Sequence, residues 1–417
     1  LGWLVHQRGE GAQPYQPETG EGRLGVKLAV IAPTEIPARR ANTLQVMKMA
    51  QAFVGLGHTV RLCAPTTNLG SATQQSVRPS WEDLARHYGL HERFEIDWLN
   101  CRSRLKRYDY GWRAVQWARC GSADWIYTRL PQAAALASQM GIPTLLEVHD
   151  LPQSRMGAWL FRLFLRGSGA RRLVVITQAL AADLEKRFDV KLDPPFGLIA
   201  PDGVDLERYE NLPGPPEARR RLAAGQPAPL DRLRQDGFCA GYTGHLYRGR
   251  GIELLVELAS QLPQIDFLIV GGEPGQARAL DDQARRRELP NLIVTGFVPN
   301  AELSLYQAAC DILLLPYQSR VEASSGGDIA RYLSPMKLFE YLACGRAIVA
   351  SSLPVLQEVL NERNALIVPF DQPEPWEAAI RKLLDNPDLR DALARQARLD
   401  ARQYTWEARA ARILAGL

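Results

Sequence analysis

No pair of cysteines stands two residues apart in this 417-residue chain, and no histidine cluster accompanies any of its six cysteines. The familiar thiolate and imidazole metal motifs are therefore absent, and no metal site is expected. Scattered single cysteines fit a reducing compartment. The expected location is cytoplasmic, with the inner face of a membrane as the place for any peripheral contact. No apolar run reaches the ~18 residues that a spanning helix needs. Charge of one sign is also lacking: 50 basic residues face 46 acidic ones, for a net charge of +4. No dense basic run joins a recognition motif, which argues against nucleic acid as a partner. Residues 1–23, rich in Gly, Gln, Glu and Pro, have no apolar core segment. They read as a poorly ordered tail rather than a signal peptide.

What the chain does have is alternation. Val26–Ile31 is a short apolar run. A helical pattern follows through Val46, Met49 and Phe53, with Asn42 expected to cap its start and Gly57 its end. Thr59–Cys63 then reads as a strand. Strand–helix–strand is the unit of a parallel sheet. Further strands are expected at 125–127, 144–148, 173–176 and 197–200. A second series is expected at 238–242, 267–270, 292–294, 312–315, 347–350 and 365–368. Between the two series lies a Pro- and Arg-rich stretch. The expected organisation is a tail (1–23), a first domain (24–206), a linker (207–237), a second domain (238–398) and a last helix (399–417). Ligands of such sheets bind beyond the carboxyl ends of the strands.

Three segments there carry chemistry. In Ser334-Pro335-Met336-Lys337-Leu338-Phe339-Glu340, Ser334 is expected as the N-cap and Pro335 as the first helical residue. The N–H groups of Met336, Lys337 and Leu338 would then face an anion. Lys337 and Glu340 share a face, and the carboxylate suits a ribose diol. The same spacing also fits a plain surface ion pair. Gly244 to Gly251 follows a strand and is glycine-rich, but Arg250-Gly251 stands where a nucleotide P-loop has Lys-Ser/Thr. Arg248 and Arg250 suit phosphate oxygens; a flexible basic loop is the alternative. Glu147-Val148-His149-Asp150 ends a strand. His149 could serve a hydroxyl or phosphate with Asp150 orienting it, or be structural.

From residue 24 onward these segments, in this order, resemble a retaining glycosyltransferase of the GT-B fold, close to glycosyltransferase family 4. The resemblance implies two Rossmann-like parallel-sheet domains facing across a cleft. It implies a nucleoside-diphosphate sugar, with a UDP, GDP or ADP base, as co-substrate. It implies no separate cofactor or metal, and a sugar or lipid-linked acceptor. His149, Arg250 and Lys337 match its catalytic positions. Gly244, His245, Arg248, Gly271, Phe297, Val298, Ser334, Met336, Leu338 and Glu340 match its donor site. Arg39, Arg40, Asn42 and Asp150 match its acceptor side. Two departures stand out: Tyr332 replaces the first of two family glutamates, and His245 stands where many members have Arg. They keep a non-catalytic binding subunit in view; an epimerase or hydrolase on the same fold, which needs no acceptor, is the other alternative. Two basic, aromatic stretches, 102–119 and 157–172, read either as membrane-facing surfaces or as helices that pack their aromatics inward.

Overall fold

The computed structural model describes residues 25–66, 78–101, 108–225, 229–322 and 327–417. The expected tail lies outside them, as do 102–107 of the first aromatic stretch.

The first domain alternates strands and helices. Its strands are β1 (Lys27–Ile31), β2 (Thr59–Thr66), β3 (Glu95–Asn100), β4 (Trp125–Thr128), β5 (Thr144–Val148), β6 (Ala170–Val175) and β7 (Gly197–Ile199). Between them run α1 (Ala41–Gly55), α2 (Trp81–Tyr88), α3 (Tyr108–Cys120), α4 (Pro131–Gln139), α5 (Arg155–Arg166) and α6 (Gln178–Phe188). The strands form one parallel sheet in the order β3-β2-β1-β4-β5-β6-β7. Strand order reverses between β1 and β4, so the loops after these two strands diverge and leave a crevice.

After α7 (Pro215–Gly225), the second domain repeats the plan. Its strands are β8 (Phe238–Thr243), β9 (Ile265–Val270), β10 (Leu292–Gly296), β11 (Ile312–Leu315), β12 (Ala347–Ser351) and β13 (Leu366–Val368). Its helices are α8 (Ile252–Gln261), α9 (Pro274–Arg286), α10 (Leu303–Ala308), α11 (Met336–Cys344), α12 (Pro373–Asp385) and α13 (Pro387–Ala401). The sheet is again parallel, in the order β10-β9-β8-β11-β12-β13. Central strands such as Ile312–Leu315 are wholly buried, as expected of strands covered by helices on both faces. The last helix, α14 (Trp406–Leu414), leaves the second domain and packs on α1 of the first, where Trp406, Ala410 and Ile413 enter the core. Val204 and Thr405 pair where the chain crosses between domains.

Two local expectations are corrected and one is extended. The stretch 207–237, expected as a linker with one short polar helix, holds α7 and packs closely on the second domain. Tyr209, Ala218, Leu222, Leu230 and Leu233 are buried in the second domain's core, and Arg219 pairs with Asp311 at 2.9 Å. The prolines mask an apolar set spaced for packing. Asn42 does not cap α1: Arg40 occupies the N-cap without a side-chain bond, and Asn42 lies inside the helix. Ser334 does not cap α11 either. The helix starts at Met336 after Pro335, and Ser334 Oγ instead accepts the N–H of Asp202 from the first domain at 3.1 Å.

Candidate functional site

In the second domain the site forms where β8, β9 and α11 meet. The Gly244 backbone has φ 134°, and a β-carbon there would fall 2.5 Å from Lys337 Nζ. Gly271 has φ 123°, and a β-carbon would fall 2.2 Å from the Gly244 carbonyl oxygen. Only glycine leaves this space, which brings backbone and cation together. Lys337 Nζ lies 3.8 Å from the Tyr242 ring centroid and 5.5 Å from that of Tyr317. The Arg250 guanidinium lies over Tyr317 at 5.0 Å. Both cations reach the site over aromatic faces. Lys337 Nζ and Arg250 Nε are buried without a hydrogen-bond partner among the described residues. Burial, then the nearby Arg250 charge, pushes the Lys337 pKa well below its usual value, against the pull of Glu340. His245 stacks on Tyr247 and is pushed down to about 4 by burial, Lys337 and Arg250. It is therefore neutral at pH 7, and the positive field comes from Lys337 and Arg250. Arg248 is exposed on the same loop.

Glu340 is buried and held in place. Gln307 Nε2 donates to its Oε2 at 3.1 Å, and Gln307 is itself fixed by the Tyr209 hydroxyl at 2.9 Å. Asn300 lies at 3.5 Å from its other oxygen. Lys337 and Glu340 thus do not form the surface pair their spacing allowed. The Leu338 N–H, expected to face an anion, instead bonds to the Pro335 carbonyl at 2.8 Å, and its side chain is core. Met336 packs toward the core of the first domain, and Val298 packs on that of the second. Phe297 is half exposed, with Arg39 over its ring at 4.2 Å and His87 stacked at 6.1 Å. Arg39, expected on the acceptor side, and Phe297, expected on the donor side, therefore meet across the cleft. Arg40 is exposed beside them.

On the first domain the site centres on Glu147, fully buried at the end of β5. It accepts from Gln45 at 2.7 Å and from the Tyr127 hydroxyl, and pairs with Arg409 of α14 at 3.0 Å. His149 Nε2 also bonds to it. Asp150 does not orient His149. Its carboxylate is exposed and accepts the Leu151 N–H, and Glu147 does the holding. Burial works to raise the Glu147 pKa, but Arg409 and His149 hold it well below the usual range. Burial and the Arg129 charge push His149 down to about 4, so at pH 7 it is a neutral hydrogen-bonding group. Arg129, at the end of β4 and bonded to Gln45 at 3.1 Å, stands at the strand-order reversal.

Glu147, His149 and Asp202 bring their ligand atoms within 4.8 Å of one another. They do not fit a cation: the Glu147 oxygens are already taken, and the Arg409 and Arg129 charges oppose one. Gln45, Tyr127, Arg129 and Arg409 were not singled out in the sequence. One signal was available: a lone carboxylate, Glu147, in the otherwise uncharged Thr144-Leu145-Leu146-Glu147-Val148 needs buried partners.

Two family models match the two halves. One described as Glycosyltransferase Family 4 matches residues 44–208, and one described as Glycosyl transferases group 1 matches residues 238–386. The D-inositol 3-phosphate glycosyltransferase of Kineococcus radiotolerans is 27% identical over 263 residues, covering 58% of this chain and 55% of the relative. The teichuronic acid biosynthesis glycosyltransferase TuaH of Bacillus subtilis, whose assignment carries the qualifier putative, is 28% identical over 165 residues, 39% of each chain. The chain spans about half the length of the curated D-inositol 3-phosphate glycosyltransferases it matches. Among solved structures, HepE of Anabaena in complex with UDP-glucose has a TM-score of 0.69 at 16% identity, covering 94% of this chain and 100% of that one. The sucrose-phosphate synthase of Thermosynechococcus elongatus has a TM-score of 0.67 at 19% identity, covering 92% and 96%. These structural likenesses carry the fold. Two glycosyltransferase models laid over two facing parallel sheets make the assignment: the chain belongs to the GT-B glycosyltransferases, of the family 4-like type.

Proposed function

We propose that the protein moves a sugar from a nucleoside-diphosphate sugar to an acceptor hydroxyl, with retention of configuration and without a metal, in the synthesis of a glycan, glycolipid or cell-envelope polysaccharide. The observation that carries this reading is the pair of half-buried cations, Lys337 beside Gly244 and Arg250 over Tyr317, whose Nζ and Nε have no partner among the described residues. The step breaks the bond between the anomeric carbon and the phosphate oxygen, and the leaving diphosphate gains negative charge. Arg250 and Lys337 stabilise that charge as it develops, in a place where water does not screen it. The acceptor oxygen forms the new bond on the same face, and its proton passes to the leaving phosphate oxygen. Glu340, fixed by Gln307, takes the ribose diol, and neutral His149, fixed by Glu147, hydrogen-bonds to the sugar.

A uridine donor leads the test, because HepE was solved with UDP-glucose. A panel of UDP-, GDP- and ADP-sugars, with and without added acceptor, measures donor consumption. Turnover that needs acceptor supports transfer. Acceptor-independent turnover would indicate hydrolysis or epimerisation, and no nucleotide binding at all would indicate a binding subunit.

The acceptor side includes a surface suited to a membrane. The two aromatic stretches divide their aromatics: Phe161 and Phe164 point inward, whereas Trp112 and Trp159 are 58% and 54% exposed. Tyr108 and Met156 are exposed near them in sequence, with Arg113, Arg155, Arg162 and Arg166 on the same helices. Exposed tryptophan beside arginine fits an anionic lipid surface, and hence a lipid-linked acceptor.

A further inference from the structure

Leu206–Tyr209 forms a single 3-10 turn just after the point where the chain crosses between domains. Two neighbouring residues of this turn reach the two oxygens of Glu340, each through one amide. Tyr209 is buried, and its hydroxyl donates to Gln307 Oε1 at 2.9 Å. Gln307 Nε2 then donates to Glu340 Oε2 at 3.1 Å and to Thr243 Oγ1 at 3.2 Å. Arg208 donates from Nη1 to Asn300 Oδ1 at 2.6 Å and from Nη2 to the Asn300 carbonyl. Asn300 Nδ2 faces Glu340 Oε1 at 3.5 Å, the longest link of the set.

Chemistry fixes the direction of both arms. A carboxylate only accepts, so each amide must turn its NH2 group toward Glu340 and its oxygen away. The oxygens turned away then need donors, which Tyr209 and Arg208 supply. Gln307 is fully buried, so its oxygen would be costly to leave without the Tyr209 hydroxyl. One amide on each Glu340 oxygen still leaves acceptor capacity on both, as two neighbouring hydroxyls require. The turn is itself anchored. The Asp205 side chain makes no capping bond to it and lies 2.5 Å from Lys48 Nζ of α1 and 3.6 Å from Arg208 Nη1. A β-carbon on Gly89, at the end of α2, would lie 3.5 Å from Asn300 Oδ1. The Arg208 arm is thus built where the domains meet, and the Tyr209 arm lies in the second domain's core.

We propose that Arg208 and Tyr209 are positioning residues for the ribose of the donor. Through Asn300 and Gln307 they fix the rotation of the Glu340 carboxylate, and so set the preference for ribose over 2′-deoxyribose without touching the nucleotide. The inference rests on the ribose role proposed for Glu340.

Titration calorimetry of the full chain with UDP, GDP and ADP selects the nucleotide that binds tightest, and its 2′-deoxy counterpart is then titrated. The native chain should prefer the ribose form by about tenfold or more, the worth of one hydrogen bond to a carboxylate. Glu340→Gln should bring the ratio toward parity. Tyr209→Phe and Arg208→Met should each narrow the ratio by about threefold or more, while affinity for the deoxy form changes by less than about twofold. A merely structural role would weaken both nucleotides alike. That result, or a ratio unchanged in either variant, overturns the relay; where Glu340→Gln still narrows the ratio, the ribose role of Glu340 stands without it. No nucleotide binding, no preference in the native chain, or a preference untouched by Glu340→Gln overturns both. If either variant fails to fold, crystals of the native chain with the same nucleotide replace it. Both amides on Glu340 with one ribose hydroxyl on each oxygen support the relay, and an amide turned away or a ribose held elsewhere overturns it.

Discussion

Lys337 is a buried amine whose charge the empty site disfavours. Burial and Arg250 lower its pKa, so the empty site holds the charged form less firmly than water does. A diphosphate arriving beside it favours the charged form and raises the pKa again. Nucleotide binding must then take up a proton, and affinity must fall as pH rises through the filled-site pKa. Calorimetry of UDP binding at a series of rising pH values, in buffers of different ionisation enthalpy, should show net proton uptake in the native chain that is missing in Lys337→Met. Arg250 carries a permanent charge and acts mainly in the transition state. Arg250→Ala should lower kcat by about 10²–10³, with the donor KM changed less, in steady-state assays of donor consumption. Near-normal turnover would remove Arg250 from the mechanism.

At the scale of elements, α14 is more than a tail that returns to the first domain. Its Arg409 is fully buried and pairs with Glu147, and it donates to the carbonyls of Ala200 and Pro201 at 3.0 and 2.8 Å. Glu147 in turn holds His149, so the last helix of the chain sets the ring at the end of β5. Removing one member of such a pair leaves a buried charge alone. Arg409→Met should cost about 3–5 kcal/mol in denaturant unfolding. A cost below ~1 kcal/mol would mean that Glu147 finds another partner. Among the elements themselves, β3 went unread in the sequence. Glu95-Ile96-Asp97-Trp98-Leu99-Asn100 is an edge strand with half-buried sides, where polar residues break the apolar run. The central strands were legible because both their faces are covered and only apolar residues serve.

For the whole molecule, the question is what holds the two domains at this separation. Asp183 on α6 receives a two-pronged bond from Arg331 at 2.6 and 2.8 Å, and the Tyr332 hydroxyl at 2.5 Å. Tyr332, which replaces a family glutamate, thus braces the interface. Lys48 and Asp205 form a buried pair at 2.5 Å on another part of it. The Arg331 bond is exposed and screened by water, so it adds little to stability. Asp183→Ala should leave the melting temperature nearly unchanged yet widen the domain separation seen by small-angle scattering; an unchanged profile would show that the other contacts suffice. The proposed membrane face belongs to this scale as well. Trp112→Ser with Trp159→Ser should reduce co-sedimentation with anionic liposomes by several-fold and leave activity on a water-soluble acceptor intact. Equal binding by the double variant, or none by the native chain, would count against that face.

Local pattern was enough to determine the two alternating sheets, the glycine-rich turn at Gly244 and the helix of Lys337 and Glu340. Those signals lie in short stretches, where period, capping and steric room act between near neighbours. The packing of the linker was not legible, because prolines are visible locally whereas the burial of Tyr209 and Leu222 depends on distant partners. The same limit hid the rest of the site. Gln45, Tyr127, Glu147 and Arg409 are separated by up to 364 residues and matter only together, because a buried carboxylate is tolerable only where opposite charge and donors converge on it. That convergence and the contact of Arg39 with Phe297 were decided by how the two domains and the returning helix meet.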